Sequence, residues 1–124
     1  RNPPVSPFAI QPHAAMLIGD RGFTMIHRAS LNLKSFVGYD AEAAVYSAPD
    51  IVIGFETAHW VRNVLGHAGI NETVETSVAR APDGSRLDYS AYSDGELTVV
   101  EIQAAPEDRR PFDLVYFFHL LIWA

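Results

Sequence analysis

The residues here whose types and spacing could do chemistry are the histidines His13, His27, His59, His67 and His119, and the carboxylates Glu72, Glu75 and Glu101. A metal centre needs three or four ligands converging at short, fixed distances. His59 and His67 stand eight positions apart, about two turns along one helix. Side chains that meet on a helix face are three or four apart, so these two cannot share a metal unaided. Solvent-facing or capping roles are expected for them. His27 falls in a strand-like stretch, where it could reach a cavity as a haem ligand, but a hydrogen-bonded structural role is the expectation. His13 stands where a proline-rich arm meets the first strand, and hydrogen bonds that lock that junction are its expected work. The three glutamates lie on segments that could be neighbours in a sheet, as a general acid and base would have to be. Solvated strand faces are the plainer expectation.

No cysteine occurs in the 124 residues. That excludes a disulfide framework, a Cys-ligated zinc or iron–sulfur site, a thiol nucleophile and a thioether-linked cofactor within this chain. The Gly-x-Ser-x-Gly nucleophile elbow is absent, and so are the Gly-x-Gly-x-x-Gly and Gly-x-x-x-x-Gly-Lys phosphate loops.

Whatever these groups do, a folded scaffold must hold them. Apolar residues make up 48% of the chain and charged residues 19%, with Gly 8 and Pro 8, which suits one domain around one core. The formal net charge is -6, from 9 basic and 15 acidic residues. That balance argues against a general nucleic-acid binder, which needs Lys and Arg against phosphates, and against docking on an anionic membrane. The longest apolar run, Leu114 to Ala124 interrupted only by His119, is too short to cross a bilayer, which takes about 20 residues.

Residues 1–12 hold four prolines and read as an extended arm. Residues 14–19 and 23–29 read as two strands around an Asp20-Arg21-Gly22 turn. Ser30 is expected to N-cap a short helix through Leu31, Leu33 and Phe36, closed by Gly38. Residues 40–46 suit another helical turn, stopped by Ser47-Ala48-Pro49. Residues 55–68 carry apolar side chains at helical spacing, with Gly69 as the stop. Residues 72–80, 86–92 and 96–103 alternate like strands and are separated by Pro82-Asp83-Gly84 and Ser93-Asp94-Gly95, as in an antiparallel meander. The segment 106–124 reads as an unusually apolar helix that must bury most of its surface. Phe112, Val115, Phe117, Phe118, Leu121 and Ile122 form its expected interface, and a homodimer through this helix is the expectation. The predicted class is α+β, an antiparallel sheet in the order β-β-α-α-α-β-β-β with short helices on one face.

That order is the order of a PAS domain, and particular motifs sharpen the likeness. Ile10-Gln11-Pro12-His13 resembles the Ile-Gln-Pro-His-Gly motif of the N-terminal PAS domains of phytochromes and bacteriophytochromes. Pro3 and Pro7 fall where that family's arm carries prolines. Ser30-Leu31-Asn32 resembles its Ser-x-Asn element. Asp88 to Gly95 is similar to its Asp-x-x-x-His-Arg-x-x-Gly stretch, and Leu97 to Gln103 to its Leu-x-x-x-Glu-x-Glu strand. The sequence departs from the pattern at Ala14 and Phe8, each for a Gly, at Tyr92-Ser93 for His-Arg, and at Gln103 for the second Glu. The resemblance runs from about Pro3 to Ala105.

The resemblance implies an arm over 1–12, a PAS domain over 13–105 and a linker or signalling helix over 106–124. It implies a non-catalytic bacterial sensory domain, cytoplasmic, with no cofactor of its own. Its partner would be an adjacent GAF-type domain that holds a bilin such as biliverdin in the full-length photoreceptor, with a histidine kinase as the common output. The start at Arg1 and the end inside an apolar run fit a piece of a longer protein. Two alternatives stay open: a PAS domain that binds its own small ligand or haem, and a small α+β enzyme with a Glu or His base.

Overall fold

A computed structural model of the chain describes residues 14–67, 69 and 72–105. The arm 1–12, the motif Ile10-Gln11-Pro12-His13 and the segment 106–124 with its expected interface residues lie outside the described residues.

Five strands form one sheet: β1 (Ala14–Asp20), β2 (Ile26–Ala29), β3 (Val74–Arg80), β4 (Arg86–Ser93) and β5 (Leu97–Ala104). Their spatial order is β2-β1-β5-β4-β3, and every neighbouring pair is antiparallel. The chain therefore enters in the middle of the sheet and later returns to pair its last strand with its first. Side chains alternate across a strand. That puts Ala15 and Leu17 of β1, Val100 and Ile102 of β5, and Leu87, Tyr89 and Ala91 of β4 on one buried face. Register stacks them in rows, with Leu17 opposite Val100 and Val100 opposite Ala91.

Four short helices connect β2 to β3: α1 (Leu33–Val37), α2 (Ala41–Ala44), α3 (Pro49–Ile53) and α4 (Phe55–Leu65). Their apolar positions, among them Leu33, Phe36, Ala44, Val52, Ala58 and Val61, join the sheet's buried face in one core. An antiparallel sheet with short helices fits the expected α+β class, but between β2 and β3 there are four helices where three were expected. Pro49 is the reason. Expected as a stop, it instead occupies the first turn of α3, where a missing N–H costs nothing. The last long helix ends at Leu65, four residues ahead of the expected Gly69, on the carbonyls of Arg62 and Val64.

Two further expectations are corrected. Strand β2 begins at Ile26, not at residue 23, because Asp20 draws residues 23–25 into a turn. Its carboxylate accepts from the N–H groups of Thr24 (2.6 Å) and Met25 (2.9 Å) and from the Thr24 hydroxyl. Gly19 makes room for that turn, since a Cβ there would lie 2.8 Å from the Met25 carbonyl oxygen. Ser30 is not a helix cap: α1 starts at Leu33 behind Asn32 and makes no side-chain capping bond. Gly38 does close α1, at φ +79°, with its N–H on the Lys34 carbonyl.

The exposed edge of β2 is covered by the chain that leaves α2. Ile26 donates its N–H to the Ser47 carbonyl (2.9 Å), and Tyr46 donates to the Ile26 carbonyl (2.6 Å). This pairing blunts one edge of the sheet against unwanted strand addition.

Candidate functional site

Ser30 and Asn32 sit where the chain leaves β2, beside the first residues of β1. Strand β2 is too short to pair with the start of β1, whose groups at Ala14 and Met16 would otherwise lack partners on that side. The two side chains replace the missing strand. The Ser30 hydroxyl accepts from the Met16 N–H (2.9 Å) and donates to the Asn32 side-chain oxygen (2.7 Å). The Asn32 amide donates to the Ala14 carbonyl (2.7 Å). The Ser30 N–H also donates to the Met16 carbonyl (2.9 Å). A Ser-x-Asn pair thus continues the ladder along β1 to its first residue. Ser30 is 1% exposed, so each of these groups depends on its partner.

At the opposite end of β1 the turn before β2, the end of α4 and the β4–β5 turn enclose a cavity of about 540 Å³. Arg21, Phe23, Arg62, Leu65, Ser93 and Gly95 are among its walls. The walls are tied together. Arg62 makes a two-pronged ion pair with Asp50 of α3 (3.0 and 2.8 Å) and donates to the Phe23 carbonyl (3.0 Å). The Thr98 hydroxyl on β5 donates to the Arg21 carbonyl (3.1 Å). The Arg62 hydrogen bonds and charge hold the Asp50 carboxyl below its usual range, against a smaller opposing effect of burial. Burial works to raise Asp20, but the bonds from Thr24 and Met25 outweigh it and leave that carboxyl low as well.

Among the described residues, the others singled out for chemistry are dispersed. His27 alternates with the core residue Ile26 and so faces away from the interior, half-buried. Among the described residues no hydrogen bond is made by its ring. His59 stacks on Phe55, with ring centroids 5.6 Å apart. His67 donates through Nδ1 to the Asn63 carbonyl (2.9 Å). Glu72 accepts from the Gly69 N–H (2.6 Å) and lies ahead of β3. Register sets Glu75 opposite Ser90 and Ser90 opposite Glu101. Strand β4 therefore lies between those two backbone positions. Tyr89 is buried in the core, and burial pushes its hydroxyl far above the ordinary value, so it stays neutral.

Sequence reasoning did not find Arg62 or Arg21. Their one signal was the turn at residues 20–22, because the pairing of Arg62 with Asp50 spans two helices and leaves no local spacing to read. No helix among the described residues is long and apolar enough to cross a membrane.

An antiparallel sheet in the order 2-1-5-4-3, with the four described helices in the crossover between the second and third strands, is the α+β architecture of a PAS domain. A family model described as PAS fold matches residues 3–105. The chain belongs to that family, whose domains are sensory and signalling modules. No curated protein matches the chain.

Proposed function

We propose that this chain is the N-terminal PAS domain of a phytochrome-like sensor. In this reading it is a non-catalytic domain without its own cofactor. It braces an adjacent GAF-type domain that carries a bilin and passes that domain's conformational change to an output module such as a histidine kinase. The cytoplasm of a bacterium is the setting the reading implies, and the segment 106–124 is the proposed dimer helix, through Phe112, Val115, Phe117, Phe118, Leu121 and Ile122.

The observation that carries the reading is the register of β1 on β5. Ala14 lies opposite Gln103, and seven consecutive pairs follow from Ala14–Gln103 to Asp20–Leu97. The chain ahead of residue 14 and the chain after residue 105 therefore leave from the same end of two hydrogen-bonded central strands. A displacement of the arm at Ile10-Gln11-Pro12-His13 has a short, stiff path to the outgoing segment. Ser30 and Asn32 clamp β1 at that same end. A packed element with two arrangements is what transmission of this kind requires.

The test is an absorption spectrum of the full-length protein co-expressed with a source of biliverdin. A red-absorbing, photoconvertible species is the expected result. A colourless protein overturns the photoreceptor reading and leaves a PAS module that serves another signal.

A further inference from the structure

We propose that the cavity between the β1–β2 turn, the end of α4 and the β4–β5 turn binds a small organic carboxylate, gripped by Arg62 and Arg21. The proposal is independent of any bilin in a neighbouring domain.

The argument starts from the donors of Arg62. A guanidinium carries five N–H groups in a planar fork. Asp50 takes one proton from each terminal nitrogen, and the Phe23 carbonyl takes the second proton of Nη1. The Nε proton and the second Nη2 proton have no acceptor among the described residues. Those two lie side by side and form the other two-pronged edge of the group, the geometry that matches a carboxylate or a phosphate. Arg62 is already immobilised by Asp50 and Phe23, so little side-chain freedom remains to be lost on binding.

Three glycine N–H groups of the cavity are already engaged: that of Gly66 by the Arg62 and Val64 carbonyls, that of Gly69 by Glu72, and that of Gly95 by the Ser93 hydroxyl. The charged donors that face an anion are the two guanidinium groups. The glycines contribute closeness instead, since without side chains they let a ligand lie against the main chain. Phe23 and Leu65 supply an apolar wall, and about 540 Å³ lies within the range of small-molecule sites.

Charge selects the class of ligand. No acid is among the described lining residues, and Asp50 cancels one of the two arginines. The remaining single positive charge is balanced by one carboxylate, whereas a phosphate dianion leaves an excess negative charge.

The test is a titration of the isotopically labelled chain, followed by amide NMR, with benzoate, phenyl phosphate and benzyl alcohol as probes. Benzoate is expected to shift the amides of Gly22, Gly66 and Gly95 saturably, with a Kd on the order of 1 mM for so small a probe. Arg21→Gln, at an exposed position, is expected to weaken benzoate about fivefold or more while the spectrum stays that of a folded chain. Arg62→Lys, which keeps the charge but loses the fork, is expected to weaken it similarly. Tighter binding of phenyl phosphate than of benzoate overturns the carboxylate in favour of a phosphate. Equal response to benzyl alcohol, indifference to Arg21→Gln, or no saturable shift overturns the site.

Discussion

Replacing Ser30 with Ala tests whether two side chains really stand in for a missing strand. The change removes one oxygen at a position that is 1% exposed. The Met16 N–H loses its acceptor and the Asn32 side-chain oxygen loses the bond from the Ser30 hydroxyl. A buried donor left without a partner costs about 1–3 kcal/mol, and an ordinary bond adds about 1 kcal/mol net. Because the backbone bond from Ser30 to Met16 survives, a loss of about 2 kcal/mol is expected. For a chain of this size that is a fall in Tm of roughly 6–12 °C. Urea unfolding followed by tryptophan fluorescence should show a lower midpoint with an unchanged slope. Asn32→Ala is expected to cost about 1–2 kcal/mol through the Ala14 carbonyl. The two changes share a bond, so the double variant should fall short of their sum by about 0.5–1 kcal/mol. Ser35→Ala, exposed on α1, serves as the control and should stay within about 0.5 kcal/mol. If Ser30→Ala behaves like Ser35→Ala, or if the double variant is additive, the ladder-extension argument is wrong.

Gly38→Ala should cost about 1–3 kcal/mol in the same assay, since φ is +79° and the new Cβ would meet Pro82 Cγ at 2.8 Å. Gly19→Ala should cost a similar amount by forcing the Met25 carbonyl away. Asp20 and Asp50 are both held low, so their stabilising effect is complete above the ordinary carboxylate range and lost as pH falls through their folded values. The stability of Asp20→Asn and Asp50→Asn should therefore approach that of the parent below about pH 4, measured as Tm against pH. A gap that stays constant down to pH 2 would show that charge is not the cause. Arg62→Lys keeps a cation that can meet only one Asp50 oxygen at a time, and about 1 kcal/mol of stability should go with the fork.

Much of the fold was open to sequence reasoning because its signals are local. Alternation at Leu87, Tyr89 and Ala91 placed those three on one face, and all are buried. The turns at Asp83-Gly84 and Asp94-Gly95 separated the last three strands where they are in fact separated. The failures have physical causes. Pro49 can end one helix or begin the next, and only the surrounding packing decides which. Residues 23–25 have strand-like side chains, but the Asp20 carboxylate offers their N–H groups a better set of acceptors. The motif Ser30-Asn32 was visible as a pattern, yet its spacing alone suggested a helix cap. The bonds it makes run fourteen and eighteen positions back along the chain, to Met16 and Ala14, and no local rule reaches that far.

Those long-range bonds give β1 its particular standing in the sheet. It is an interior strand with a side-chain clamp at each end, Ser30 and Asn32 at the start and Asp20 at the finish. Arg21, the next residue, is pinned to β5 by Thr98. Between the clamps β1 is paired with β5 at every position from Ala14 to Asp20. A strand held this way moves as a body and takes β5 with it, because a slip of one residue would turn Leu17 and Val100 out of the core. On the function proposed above, a pull at Ala14 would load β1 and β5 together, and the load would reach the end of β5 opposite Ala14 and the turn at Arg21. An anion held in that cavity would stiffen the far clamp, so occupancy of one end and displacement of the other would be linked through a single pair of strands.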